Sequence, residues 1–303
     1  MRSFHHFLLF FIGLNIAHVY SFNSFHYPGL QKSPRNWRKF QARALNRQQA
    51  PLPKTPKGSS SSKSICQPRL DRFTTPVSAA GSSWRALSTR RDSYQMTPGG
   101  GAELILNPPQ GVVKVSADGK VNDKLGDGST FNSTFSLLYG KVTVTMTAAP
   151  VPGAVTALVL MGTKTMDEID VEILGGDPTH WQTNVFRPAP KETEPLYGVF
   201  GGVESYPKNG VVGQTHTYVV DWSPKQIVWS VDGQVVRTLT PAQTLHNGAE
   251  HYPSALSRIQ LGLWDASNPL GTSDWAKGPI PWSKLKGKPI KALVKSVQVE
   301  CPY

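Results

Sequence analysis

From Cys66 to the C-terminus the chain is a succession of short apolar runs, broken by turn residues every eight to twelve positions. The runs are Ala102–Leu106, Lys141–Met146, Ala154–Leu160, Glu168–Leu174, Thr217–Asp221, Ile227–Val231, Ile259–Leu263 and Leu293–Val299. None is long enough, or periodic enough, for an amphipathic helix, and no internal repeat is visible. Strands of this length bury their apolar side chains only by stacking one sheet on another, so the pattern predicts an all-β sandwich. The string VWSVDGQVVRT from Val228 to Thr238 adds a hairpin, because Asp232-Gly233 suits a two-residue turn that needs positive φ. A helical turn is expected at most over Ser283–Lys286. The 27 glycines and 25 prolines in 303 residues supply the turns such a fold needs.

The first 65 residues have a different texture. Arg2, His5 and His6 precede the apolar run Phe7–Ala17, which has the length of a secretory h-region and is too short to span a bilayer. Residues 1–21 are therefore expected to be a signal peptide, cut after Ser21 or near Ala17. Residues 22–65 are rich in Arg, Lys, Gln, Pro and Ser and lack an apolar period, so they are expected to be a disordered basic propeptide or linker. The domain proper is expected over residues 66–303. No apolar tail follows Tyr303, so no membrane anchor is expected.

Charge separates the same two parts. Residues 1–65 hold ten Lys/Arg and no Asp or Glu, whereas the rest holds 22 basic and 20 acidic residues. The body is nearly neutral, which argues against a nucleic-acid partner. The two cysteines, Cys66 and Cys301, bracket the β-rich body, and in a secreted chain they are expected to form one disulfide. No His or Cys cluster has metal-ligand spacing, and no metal or cofactor is expected. Asn132-Ser-Thr is a glycosylation sequon, although Phe131 and Phe135 around it also suit a buried strand.

Chemistry concentrates in Thr165–Phe186. Glu168, Asp170 and Glu172 alternate with Ile169, Val171 and Ile173, so a strand turns all three carboxyls to one face and the aliphatic groups to the other. Like charges so placed raise the proton affinity of at least one of them. Retaining glycoside hydrolysis uses that arrangement: one ionised carboxylate attacks while another carries a proton. The Cα atoms of Glu168 and Glu172 would lie about 13 Å apart, and inward-leaning side chains shorten the gap between the heads. Asp170 between them can hydrogen-bond the attacking group. A solvated edge-strand face or a calcium-binding patch would also account for the string alone.

The surrounding motifs narrow the choice. Glu168-Ile-Asp-Val-Glu172 resembles the signature of glycoside hydrolase family 16. Gly175-Gly-Asp and Gln182-Thr-Asn-Val-Phe186 are similar to those of the fungal Crh-type chitin–glucan transglycosylases in that family. In order follow His216–Trp222, Ile227–Gly233, Arg258–Asp265 and Asp274–Trp282, with Asn132–Phe135 and Tyr139–Val142 upstream. The resemblance covers about residues 66–301.

It implies a concanavalin A-like β-jelly roll of two curved antiparallel sheets with a cleft on the concave face. It also implies Glu168 as nucleophile, Asp170 as its helper and Glu172 as acid/base, with Gln182 and Asn184 lining the cleft near the cleaved bond. Trp264 and Trp275 would offer flat faces to sugar rings, whereas Trp222 and Trp229 suit core or cleft equally. The expected protein is a secreted or cell-wall, monomeric transglycosylase acting on chitin or β-glucan. Hydrolysis of the same glycan by an endo-β-glucanase and non-catalytic binding by a lectin are the alternatives.

Overall fold

The computed structural model describes residues 65–303 except 89, 190, 191 and 193–195. The expected signal peptide, and the basic segment up to residue 64, lie outside the described residues. The strands are β1 (Arg69–Asp71), β2 (Trp84–Ala86), β3 (Tyr94–Met96), β4 (Ala102–Leu106), β5 (Ser129–Ser133), β6 (Gly140–Thr147), β7 (Ala154–Gly162), β8 (Glu168–Leu174) and β9 (His180–Phe186). They continue with β10 (Gly202–Ser205), β11 (Thr215–Trp222), β12 (Ile227–Val231), β13 (Gln234–Leu239), β14 (Leu245–His246), β15 (Ala249–Glu250), β16 (Ser257–Asp265) and β17 (Ile290–Glu300). The described helices are short: Leu270–Trp275 and Trp282–Leu285 are α-helical.

Two antiparallel sheets make a jelly-roll sandwich. One runs β13-β12-β11-β6-β17-β4-β3, with β1 also paired to β17; the other runs β10-β9-β8-β7-β16-β5-β2. Alternation on each strand sends one set of side chains into the space between. Val142, Val144, Tyr218, Val220 and Trp229 come from the first sheet; Leu158, Leu160, Ile169, Val171, Ile259 and Leu261 come from the second. Trp222 and Trp229 are both core residues. The indole of Trp222 donates to the Pro253 carbonyl at 3.0 Å, so its one polar atom is satisfied inside the core.

The 11-residue β17 shows how the pattern adapts. Ile290, Ala292 and Val294 are buried, and then the phase changes to Val297 and Val299. A register irregularity between Val294 and Ser296 adds the extra residue that keeps both halves facing the core. The second half pairs with β1 through Arg69↔Val299 to Asp71↔Val297. Just outside that pairing, Cys66 and Cys301 form the expected disulfide, with Cα atoms 5.7 Å apart. The Asp232-Gly233 hairpin is also present, with φ of 50° and 81° at the two turn residues.

Candidate active site

Strand β8 is buried along its whole length. Ile169, Val171 and Ile173 lie in the hydrophobic core, which turns Glu168, Asp170 and Glu172 to the outer face of the sheet. The three acids are not solvated edge residues: Glu168 and Asp170 are fully buried and Glu172 nearly so. β8 is an interior strand with β7 on one side and β9 on the other.

Several contacts hold this strand in register. At its start, the Asp167 carboxylate accepts hydrogen bonds from the Ser254 and Ala255 amides at 2.7 and 3.0 Å. At its end, Gly175 runs so close to a neighbouring loop that a Cβ would sit 2.3 Å from the carbonyl oxygens of Ala149 and Val151. Gly176 meets Lys277 in the same way. From the opposite sheet the Trp229 indole donates to the Asp170 carbonyl at 3.1 Å, tying the middle of the strand to the core.

The register places the remaining polar residues. On β9, Asn184 lies opposite Asp170, Gln182 opposite Glu172 and Phe186 opposite Glu168. The expected cleft residues Gln182 and Asn184 thus share the face of the acids. The Asn184 side-chain oxygen accepts from the Val185 amide at 2.9 Å, which fixes the orientation of its amide. Gln182 accepts from the Trp275 indole at 2.8 Å. Phe186 meets Tyr197 edge to face, with ring centroids 5.8 Å apart, at the Glu168 end.

Trp264 and Trp275 also come together, but against each other. Their rings stack with centroids 6.2 Å apart and 18° between planes. Both are buried, in a small apolar cluster with Val155, Leu174, Ala266 and Ala276. The sequence did not show that each of these rings would use a flat face on the other.

Beyond β7 the same face continues onto β16, β5 and β2, where the sequence assigned only Trp264 to the cleft. In the row of Asp170 stand Val159 on β7, Gln260 on β16, Asn132 on β5 and Arg85 on β2. Asn132 is buried on this face. Arg258, two residues before Gln260 on β16, has its pKa lowered first by burial and then by the nearby charge of Arg85. His180, at the start of β9, contacts Asp177 at 3.2 Å and Thr179 at 3.0 Å.

A two-sheet sandwich with an acid triplet on the outer face of an interior strand is a narrow description, and the comparison with known families agrees with it. Residues 90–284 match the model of the glycosyl hydrolases family 16. The chain belongs to this family. Among family 16 relatives, Crh-like protein 4 of Botryotinia fuckeliana is 40% identical over 179 residues, which cover 58% of this chain and 44% of the relative. Crh-like protein CRH11 of Candida albicans is 31% identical over 245 residues, covering 77% of this chain and 48% of the relative. The chain thus spans about half the length of the curated relatives it matches.

Among solved structures, a Crh5 transglycosylase in complex with NAG is similar with a TM-score of 0.59 and 31% identity, over 78% of this chain and 88% of that one. A Bacillus licheniformis β-glucanase, at 20% identity, shares the fold with a TM-score of 0.56 over 77% of this chain and 98% of that one.

Proposed function

We propose that this family 16 member is a secreted, retaining β-glycan transglycosylase acting on chitin or β-glucan of a fungal cell wall. The observation that carries the reading is the shared face of Glu168, Asp170 and Glu172, flanked by Gln182 and Asn184 at matching register. In the first half-reaction the Glu168 carboxylate attacks the anomeric carbon and the glycosidic C–O bond breaks. Glu172 gives its proton to the departing sugar oxygen. Asp170, between the two, hydrogen-bonds Glu168 and by its charge favours the proton on Glu172.

In the second half-reaction Glu172 takes a proton from an incoming hydroxyl. That oxygen attacks the anomeric carbon, and Glu168 leaves as a carboxylate. A sugar hydroxyl as acceptor gives a new glycosidic bond; water gives hydrolysis. The likeness to a solved Crh5 transglycosylase supports the sugar acceptor. Gln182 and Asn184 position the glycan at the cleaved bond, and the Trp264–Trp275 stack fixes Gln182 through its indole bond.

The test incubates purified protein with a chitin or β-glucan oligomer and a labelled oligosaccharide acceptor, with products read by mass spectrometry. Longer labelled hybrids are expected. Shortened products alone would replace transfer by hydrolysis, and binding without turnover would leave a lectin. Glu168→Gln is expected to lower kcat by about 1,000-fold or more while the protein stays folded, because the covalent route is gone. Near-parental turnover would remove Glu168 as nucleophile.

A further inference from the structure

At one edge of the sandwich β13 closes the first sheet and β10 the second. The pairing of β12 with β13 steps from Ser230↔Val235 to Trp229↔Arg237, so Val236 is an extra residue on β13. Without it Arg237 would fall opposite Val228 and turn to the outer face of its sheet. The bulge turns it inward instead, with its guanidinium carbon 4.9 Å from the Trp229 ring centroid. A charge brought between two sheets is costly unless its donors are used. Burial lowers the pKa of Arg237, and the negative charge of Glu204 partly offsets this.

The donors are used on the sheet that carries the acids. Nη1 of Arg237 donates to the Thr183 hydroxyl at 2.6 Å and to the Thr183 carbonyl at 3.2 Å, and Nη2 donates to the Phe200 carbonyl at 2.6 Å. The Thr183 hydroxyl in turn donates to Oε1 of the buried Glu204 at 2.9 Å. Gly202, opposite Thr183 on β10, leaves the room for this meeting. A Cβ there would press on Glu204 Oε1 and sit 2.9 Å from both Arg237 Nη1 and Thr183 Oγ1.

The gripped residue is well placed to matter. Thr183 stands between Gln182 and Asn184 in the chain, and it pairs with Val171, which stands between Asp170 and Glu172. The ring under the guanidinium belongs to Trp229, whose indole donates to the Asp170 carbonyl. Arg237 and the ring it covers therefore hold both strands from inside the sandwich, β9 at Thr183 and β8 at Asp170.

We propose that Arg237 is a positioning residue for the acid face: it clamps β9 through Thr183 and Phe200, and so sets where Gln182 and Asn184 stand relative to Glu168, Asp170 and Glu172. This rests on the reading of that face as a reactive glycan cleft. The guanidinium faces the interior, so it acts through the Thr183 backbone rather than by touching the glycan. A planar fork is needed because the Thr183 and Phe200 acceptors take different nitrogens; a lysine ammonium keeps the charge and loses the fork.

The experiment uses the full chain and three single variants. Arg237→Lys removes the fork. Gly202→Ala keeps every hydrogen-bonding group and pushes the three heads apart. Val142→Ala, in the core of the first sheet, is the control for lost stability alone. Each is followed by thermal melting, by backbone hydrogen exchange, and by kcat and KM for transfer from a chitin or β-glucan pentasaccharide to a labelled acceptor. Arg237→Lys and Gly202→Ala are expected to speed exchange in His180–Phe186 by about tenfold relative to β7 and β16. They are also expected to lower kcat by about tenfold or more with KM within about twofold, because a small misplacement beside the reacting bond falls on the transition state. Val142→Ala should lower the melting temperature with neither change.

Unchanged β9 exchange in both clamp variants would overturn the clamp. A raised KM with parental kcat, or an equal loss of kcat in Val142→Ala, would overturn the positioning role and leave the proposed activity standing. A parent without turnover on either glycan would overturn the glycan reading, and β9 exchange would still decide the clamp. If Arg237→Lys does not fold, Gly202→Ala decides alone.

Discussion

Replacing both Cys66 and Cys301 by serine isolates one contribution to the stability of this domain. The disulfide joins residues 235 apart in sequence, immediately outside three β1–β17 residue pairs. The strands therefore hold the termini together in the native state without the bond, and its main effect falls on the unfolded chain. In the chain-entropy model a loop of this length loses about 18 cal/mol/K on cross-linking, which corresponds to about 5.5 kcal/mol at 25 °C. For about 240 folded residues the entropy of unfolding is near 0.5 kcal/mol/K, so the melting temperature should fall by roughly 11 °C.

The assay is a pair of thermal melts, parent and Cys66→Ser/Cys301→Ser, with glycan turnover measured at 25 °C. Turnover should be unchanged, because the bond lies outside the seven-stranded sheet that carries the acids. A decrease of less than about 3 °C would refute the entropic account. Lost turnover in a variant that still melts cooperatively would show that the cross-link shapes the cleft.

Other consequences follow from contacts around β8 and β16. Trp229→Phe removes the indole hydrogen bond to the Asp170 carbonyl and trims a fully buried ring, and should lower unfolding free energy by about 1–3 kcal/mol in urea titrations; an unchanged midpoint would show that the indole bond contributes nothing. Gly175→Ala forces a methyl against two backbone oxygens 2.3 Å away, so a loss of at least about 2 kcal/mol, or insoluble expression, is expected; a parental midpoint would refute the close approach.

Burial raises the pKa of Asp265, partly offset by hydrogen bonds from Gly126, Ser267 and Trp282. The folded state therefore holds this proton more tightly than the unfolded state. The Asp265 contribution is greatest below the ordinary aspartate pKa and declines as pH rises through the folded value. The difference in melting temperature between the parent and Asp265→Asn should change across that window; a constant difference would refute it.

Much of the sandwich is legible because strand alternation is a local signal. β4, β8 and β12 have the bounds that their apolar runs suggest, and the Asp232-Gly233 turn follows from two residues. The acid triplet is legible for the same reason, since Glu168 to Glu172 fall within one strand. The far side of the face is not. Gln260 is a polar residue in a mostly apolar run and Asn132 is one of several polar residues in Ser129–Ser133, and they meet only through a β16–β5 pairing that no local pattern specifies. Trp264 and Trp275 show the same limit. Their apolar surface is obvious in sequence, but its use by each other depends on how the helix Leu270–Trp275 returns across the sheet. The three-residue strands β1, β2 and β3 are too short to carry a period of their own.

The period-two pattern of β8 has a consequence for how this chain tolerates length changes. Removing one residue from the turn before Glu168 would rotate the strand's frame by half a repeat. Carboxyls would then meet the interior where Ile169 and Val171 now sit, and the aliphatic groups would meet the glycan. A frame slip here cannot yield a stable but inactive protein, since the error that empties the cleft of acids also charges the core. Insertions and deletions in lineages of this domain should therefore spare the segment Gly162–Gly176 and accumulate at the exposed hairpin tip near Asp232.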